Sequence, residues 1–385
     1  MKNKSIVSKV QGLMPLHLQV RGLLSLLITP VLILALIFCL TGCSTGADDV
    51  IEPTPETTIP VEPTSEPTPE PVPTPSPTPE PTPEPVIVPI DLSFSEITNE
   101  ILADMINSGE IPERVLELDL SGNEISDITP LARLTELERL DLSDNAIDDI
   151  SALEGLSELK WLNLDQNSLS DISPLSGLTE LMELRLYYNK IDDISPLRQL
   201  RTLELLDVGL NFVLDLTVLE SLTELNTLNL GGNDFSDIKP LASLFHLEVL
   251  SLPDNKIRDI KPLGSLMNLM ELDLSNNDIS DLTALSALTN LEVLSLGGNR
   301  IQNINPLKSL TSLIDLSLVV NRVSDVSPLT TLTQLVELDL SHNRIRNVRP
   351  LMTLKNLESL GLYGNNLTPA VYRRLEEALP GCYVA

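Results

Sequence analysis

The nine residues from Leu137 to Asn145, LERLDLSDN, recur along the chain at one fixed spacing. Their closing asparagine returns twelve times, each time 22 residues after the last. The twelve positions are Asn123, Asn145, Asn167, Asn189, Asn211, Asn233, Asn255, Asn277, Asn299, Asn321, Asn343 and Asn365. An unbroken period of about 20 to 30 residues is typical of a solenoid, in which each repeat is one structural unit stacked on its neighbours.

Each repeat contains two apolar patterns. Leucine stands five residues before every asparagine, and an apolar residue stands three before it. This alternation predicts a short strand with one buried face. Further apolar residues follow the asparagine at 2, 5, 8 and 11 residues. Because 22 residues leave little room for a full α-helix, we predict a short 3₁₀ or irregular return segment.

The pattern resembles the leucine-rich repeat, LxxLxLxxNxL, over residues 115–367. The return segment SDISPLSGLTELMEL (residues 170–184) further resembles the internalin and SDS22-like subclass. The resemblance implies an α/β solenoid: a horseshoe of twelve repeats with a parallel sheet on its concave face. In that family the concave face usually binds a protein partner.

The N-terminal part of the chain carries the features of an export signal. Residues 1–42 contain four basic and no acidic side chains. Within them a long apolar run, residues 23–40, leads into LTGC at residues 40–43. A basic start, an apolar run and small residues before the cut describe a secretory signal. LTGC resembles a bacterial lipobox, which implies a lipid on Cys43 and a lipidated N-terminus over residues 43–51. An uncleaved apolar anchor is the alternative. Both interpretations predict a membrane-anchored, extracytoplasmic protein at the cell surface.

Three further segments complete the predicted organisation. Residues 52–89 are rich in proline, threonine and glutamate, a composition that favours polyproline II and predicts a stalk. Residues 90–114 should form an N-terminal cap with a helix over residues 95–108, capped by Ser93 or Ser95. Residues 368–385 should form a C-terminal cap, with a helix that begins after Thr368. Terminal repeats of solenoids need such covers.

Charge and cysteine content exclude several classes of function. Beyond residue 42 the chain carries 55 acidic and 21 basic side chains, a net charge of −34. Such a surface argues against binding to nucleic acid, which requires a basic footprint. Besides Cys39 in the signal and Cys43, only Cys382 remains, so no disulfide framework is possible. We expect Cys382 to be a small buried residue of the C-terminal cap.

The recurring polar residues have structural explanations. We expect the twelve asparagines to form a ladder whose amides satisfy backbone groups of adjacent loops. Four residues after most of them stands an aspartate, such as Asp127 or Asp149, often followed by proline three residues later. This is capping chemistry for the return segment. A ladder of calcium sites on this acidic face is the sharper alternative, since carboxylates are good calcium ligands. We predict no metal site and no cofactor.

Specificity must lie at the outward positions between the uniform leucines. The aromatic residues of the chain are few, yet several fall in three successive repeats and are predicted to form one patch. The predicted partner-binding residues are Trp161, Arg185, Tyr187, Tyr188, Leu205, Leu210 and Phe212, with Val249 and Val293 extending a weaker apolar track. A second predicted feature is a basic rim of Lys190, Lys256, Arg300, Arg322 and Arg344 beside an acidic floor.

No catalytic motif is present. Beyond the signal only His246 and His342 occur, in different repeats and without metal-ligand spacing, and GxSxG, HExxH and phosphate-loop motifs are absent. The sequence therefore predicts a surface-displayed, monomeric protein-binding module without enzymatic activity. Glycan or cell-wall binding by the same aromatic residues is the alternative function, and a structural repeat protein with a cation-binding acidic face is a third.

Overall fold

The computed structural model describes residues 89–385. The predicted signal, Cys43 and the predicted stalk lie outside the described residues. Within them one 14-stranded parallel sheet has its strands in sequence order. Its strands are β1 Ile90–Asp91, β2 Glu117–Asp119, β3 Arg139–Asp141, β4 Trp161–Asn163, β5 Glu183–Arg185, β6 Leu205–Asp207, β7 Thr227–Asn229, β8 Val249–Ser251, β9 Glu271–Asp273, β10 Val293–Ser295, β11 Asp315–Ser317, β12 Glu337–Asp339, β13 Ser359–Gly361 and β14 Tyr383–Val384.

The register of the sheet follows the 22-residue period. Leu140 of β3 pairs with Leu118 of β2 and with Leu162 of β4, and each repeat continues the same column. These central leucines are buried in one continuous core, together with the apolar residues of the return segments. The residues on either side of each central leucine therefore point away from the core. The solenoid predicted from the repeat is confirmed.

The return segments are short 3₁₀-helices, as the spacing predicts. They are Thr129–Arg133, Ser151–Leu153, Ser173–Gly177, Ser195–Gln199, Thr217–Ser221, Lys239–Ser243, Lys261–Ser265, Thr283–Ala287, Asn305–Ser309, Ser327–Thr331 and Arg349–Thr353. The aspartate column initiates them: Asp149 Oδ1, for example, accepts the Ser151 backbone N–H at 2.8 Å. Most of them have proline in the first turn. Its missing N–H costs no hydrogen bond there, because first-turn N–H groups have no partner within the helix.

The asparagine ladder links each repeat to the one before it. Asn145 Oδ1 accepts the Ile125 N–H at 3.0 Å, and its Nδ2 donates to Leu120 O at 2.9 Å. The same Nδ2 also donates to carbonyls of its own repeat, at Leu142 and Ser143. One side chain thus satisfies backbone groups on both sides of an inter-repeat junction, where no regular strand pairing is available.

The N-terminal cap contains helix α1, Asn99–Ser108, which packs Leu102 and Ile106 into the core. The predicted cap residues Ser93 and Ser95 were wrong. Thr98 is the N-cap, because Asn123 Oδ1 accepts the N–H groups of Ser95 and Ile97 and holds that segment outside the helix. The helix ends at Gly109, whose φ of 79° suits glycine.

The C-terminal cap contains helix α2, Pro369–Ala378, with Thr368 at its N-cap. Beyond it, β14 pairs with β13 and covers the last edge of the sheet, as β1 does at the first edge. Cys382 is a partly buried free thiol against the core. No helix within residues 89–385 is long and apolar enough to cross a membrane.

Candidate protein-binding surface

Trp161 occupies the concave side of β4 and is held by its neighbours on both adjacent strands. The Arg139 guanidinium carbon lies 3.4 Å from the centre of the indole ring. On the other side, indole Nε1 donates to Glu183 Oε2 at 2.8 Å. Glu183 in turn lies 4.0 Å from an Arg185 guanidinium nitrogen. We call Arg139, Trp161, Glu183 and Arg185 the tryptophan row. Arg139 and Glu183 were not among the predicted binding residues, although their place beside Trp161 follows from the period.

Tyr187 and Tyr188 form a second aromatic group after the end of β5. Their ring centres are 6.4 Å apart. Tyr188 has a φ of 56° and is 59% exposed, whereas Tyr187 is half-buried against Gly209. Burial, and the nearby carboxylates of Asp207 and Asp165, raise the pKa of Tyr187.

The predicted aromatic residues do not make one continuous cluster. Trp161 stands six residues before its ladder asparagine and Tyr187 two before its own. Four residues of extended chain therefore separate them along the strand direction, about 13 Å. Arg185 lies between the two groups. Leu205 of β6 is the strand neighbour of Glu183 on β5. Leu210 and Phe212 lie on the loop after β6, where the 66%-exposed Leu214, absent from the predicted set, joins them.

Two valines predicted to extend the apolar track differ in exposure. Val249 on β8 is partly exposed, but Val293 on β10 is only 5% exposed, between Glu271 and Asp315. The prediction of an exposed Val293 was wrong.

A polar network lies next to the tryptophan row and was missed by sequence reasoning. Asp141 Oδ2 accepts from Asn163 Nδ2 at 3.2 Å, and Asn163 Oδ1 accepts the Asp165 N–H at 3.0 Å. Asp165 Oδ1 accepts the Tyr187 N–H at 2.6 Å. Two strands further, both carboxylate oxygens of Asp207 accept from Asn229 Nδ2 at 3.0 Å. Asp and Asn recur four residues before the ladder asparagine, and this recurrence was the sequence signal from which the network could have been predicted.

Asp165 is a strongly perturbed carboxyl of this network. Burial and the negative charge of Asp207 raise the pKa of Asp165 to about 7, against the opposing effects of the Tyr187 N–H and of Arg185. Burial likewise raises the pKa of Asp207. The network therefore changes its charge near neutral pH, beside the residues of the tryptophan row.

The predicted basic rim is partly neutralised. Lys256 pairs with Asp234 at 3.1 Å, and Arg300 pairs with Asp278. Arg322 and Arg344 form no salt bridge with any residue of 89–385. In the same part of the chain no group of three or more His, Cys, Asp or Glu side chains could hold a metal ion.

Comparison with known proteins places this architecture in a family. The family model described as Leucine Rich repeats (2 copies) matches residues 113–155, 157–199, 246–287, 289–331 and 333–370, more than half of the chain. The chain belongs to the leucine-rich repeat family, whose members are protein-interaction scaffolds that typically carry no catalytic site. No curated protein matches the sequence.

Among solved structures, an internalin of Listeria monocytogenes is similar at 37% identity and a TM-score of 0.69, over 74% of this chain and 82% of that one. A leucine-rich repeat protein of Leptospira interrogans shares the fold at 24% identity and a TM-score of 0.53, over 77% of this chain and 95% of that one. A plant peptide hormone receptor shares it at 23% identity and 0.57, over 74% and 53%.

Proposed function

We propose that this chain is a surface-displayed protein-recognition module whose concave face binds a protein partner. One observation carries the proposal: the tryptophan row is fixed in place before any partner arrives. Stacking on Arg139 and the hydrogen bond to Glu183 restrain the Trp161 ring. Aromatic and arginine side chains dominate the energy of protein interfaces, and prior ordering lowers the entropic cost of binding.

The composition of the surface fits a protein better than a sugar. The Arg139 guanidinium covers one face of Trp161, which leaves that face unable to stack on a sugar ring. Arg185, with Glu183 beside it, instead offers charged partners to a polypeptide. Tyr187 and Leu205 add apolar surface beside them. These residues set the specificity, since the buried leucines are nearly uniform from repeat to repeat.

Photo-crosslinking from defined positions of the full chain tests the location of the site. A crosslinker at Leu205 should capture the partner, whereas one at the exposed Ser176 on the convex side should not. Peptide mapping of the crosslinked product identifies the partner and the contact. Equal yields from both positions would show that the concave face is not the binding surface.

Two aromatic residues should contribute most of the affinity. We expect Trp161→Ser combined with Tyr187→Ser to weaken binding of the captured partner by about 100-fold or more, because buried interface aromatics each contribute about 2 kcal/mol. Surface plasmon resonance measures the change. Tyr363→Ser is the matched control. Tyr363 is exposed and stands two residues before the ladder asparagine of the last repeat, as Tyr187 does in its own repeat. If control and double variant bind alike, these aromatics are not the site.

We also propose that the array is exported and held at the membrane by a lipid on Cys43, with residues 52–89 as the stalk. Metabolic labelling with a clickable fatty acid should label the wild-type chain and leave Cys43→Ala unlabelled. Cys39→Ala is the matched control and should keep its label. A wild-type chain that stays in the membrane without label would instead indicate the uncleaved apolar anchor.

A further inference from the structure

The six residues after each ladder asparagine form one continuous side face of the solenoid, which we call the loop flank. Within it, in most repeats, the N–H of the first residue donates to the carbonyl of the second residue of the preceding repeat. Examples are Lys190 to Leu169 and Arg344 to Val323, both at 2.8 Å. Equivalent residues of successive repeats therefore stack in columns, spaced by about the 4.8 Å of neighbouring strands. We number the repeats from one to twelve, starting with the repeat of Asn123, and the loop flank extends along all of them.

The first three repeats make one end of the loop flank acidic. Their flank segments, residues 124–129, 146–151 and 168–173, contain no lysine or arginine. They contain five exposed carboxylates, namely Glu124, Asp127, Asp148, Asp149 and Asp171. This end of the flank therefore has a uniformly negative charge.

Repeats nine to eleven make the other end basic. Their exposed flank carries five arginines, Arg300, Arg322, Arg344, Arg346 and Arg349. Asn303 and Asn347 replace the capping aspartate there, so Asp325 is the one acid in these three segments. Arg300 is paired with Asp278, whereas the other four arginines make no salt bridge within residues 89–385. A group of unpaired cations is unusual on a chain of such negative charge.

Two exposed apolar side chains lie near the middle of the loop flank, among residues of both charges such as Asp215, Asp234 and Lys239. Phe212 and Leu214 of the fifth repeat are 62% and 66% exposed. They lie beside the sixth repeat. The acidic end is centred on the second repeat and the basic end on the tenth, so each centre is four repeats away from the sixth. An acidic end, a middle of mixed charge with two exposed apolar side chains, and a basic end thus follow one another along a single face.

We propose that this face is self-complementary and that two copies of the chain associate antiparallel through their loop flanks. A twofold axis near the sixth repeat brings the acidic end of each copy against the basic end of the other, twice per dimer. The apolar residues of the fifth repeat then lie close to the axis, where an interface is best shielded from water. The concave face stays open, so this association is independent of partner binding there.

The spacing of the charges favours a second copy over another anionic partner. Both charge columns have the period of the same solenoid, so carboxylates and guanidinium groups of two antiparallel copies match along the contact. An elongated polyanion that continued past the arginine end would instead meet the negative remainder of a chain with net charge −30. Arginine also pairs with carboxylates in bidentate geometry.

A charge-swap experiment on the full chain tests this arrangement. One variant carries Arg322→Glu and Arg344→Glu, and the other carries Glu124→Lys and Asp148→Lys. Neither Glu124 nor Asp148 initiates a 3₁₀-helix, so folding should be kept, as circular dichroism would verify. Light scattering in non-ionic detergent at about 50 mM salt measures the oligomeric state, because charge contacts are little screened there. The N-terminal segment is common to all variants and cancels in the comparison.

We expect the wild-type chain to be dimeric at low salt and each variant alone to dissociate at least about tenfold more readily. An equimolar mixture of the two variants should restore the dimer, since both of its contacts are again between opposite charges. A monomeric wild-type chain overturns the proposal, as does a dimer that both variants leave unchanged. Two variants that are monomeric alone and remain so when mixed also overturn it.

Discussion

Asn211→Ala is expected to lower the free energy of unfolding by about 4 kcal/mol. Asn211 is 4% exposed. Its Oδ1 accepts the Ile191 N–H at 3.0 Å, and its Nδ2 donates to Leu186 O at 2.9 Å and to two carbonyls of its own repeat. Alanine would leave the buried Ile191 N–H without a partner, at about 1 to 3 kcal/mol. It would also remove one of two donors from each of the three carbonyls, which keep their bonds to Asn189, Asn233 and the Tyr188 N–H, at about 0.5 to 1.5 kcal/mol for each lost bond.

Urea unfolding followed by circular dichroism measures this loss. Asn290→Ala is the matched control, because Asn290 is exposed and donates a single bond, to Met267 O at 2.9 Å. We expect that control to cost less than about 1 kcal/mol. If the two substitutions cost the same, the ladder would not stabilise the junctions between repeats.

Asp165→Asn is expected to stabilise the protein at pH 8 by about 3 kcal/mol and to change it little at pH 4.5. The folded pKa of Asp165 is about 7, against 3.8 for an ordinary aspartate. Between these values the folded chain holds a proton that the unfolded chain has lost. The stabilising contribution of Asp165 is therefore complete below pH 3.8 and is lost as the pH rises to about 7.

The variant isolates this effect because asparagine keeps an acceptor for the Tyr187 N–H while removing the charge next to Asp207. Thermal unfolding of both proteins across pH 4.5 to 8 should give melting temperatures that diverge as the pH rises. The effect of about 3 kcal/mol is smaller than the full free energy of the pKa shift, since the carboxyl keeps some contact with water. Parallel profiles at all pH values would mean that Asp165 is not buried as a carboxylic acid.

Local patterns predicted the repeating unit correctly. The leucine alternation predicts the strands from β2 to β13, and the apolar spacing after each asparagine predicts the 3₁₀-helices. The asparagine ladder and the aspartate caps were also identified, because each depends on contacts within a repeat or with its neighbour. A fixed 22-residue offset turns such contacts into columns, so a local pattern specifies a long solenoid.

Contacts that cross several repeats or end the array were not predictable in this way. Strands β1 and β14 have no repeat pattern and form only because the sheet offers them an edge. The pKa of Asp165 depends on its burial and on Asp207 two strands away. The burial of Val293 between Glu271 and Asp315 likewise depends on the adjacent strands, and the separation of Trp161 from Tyr187 depends on the strand direction.

The sequence by itself determined the solenoid, its period, its strands and its ladder, because these arise from burial of one apolar set repeated twelve times. Tertiary structure alone decided which contacts the outward side chains make: the Arg139 guanidinium stacks on Trp161, the indole donates to Glu183, and Tyr187 lies against Gly209. The period places such residues side by side, but no local rule fixes which of their atoms meet. Their surroundings are set by the stacking of whole repeats, which only the folded array provides.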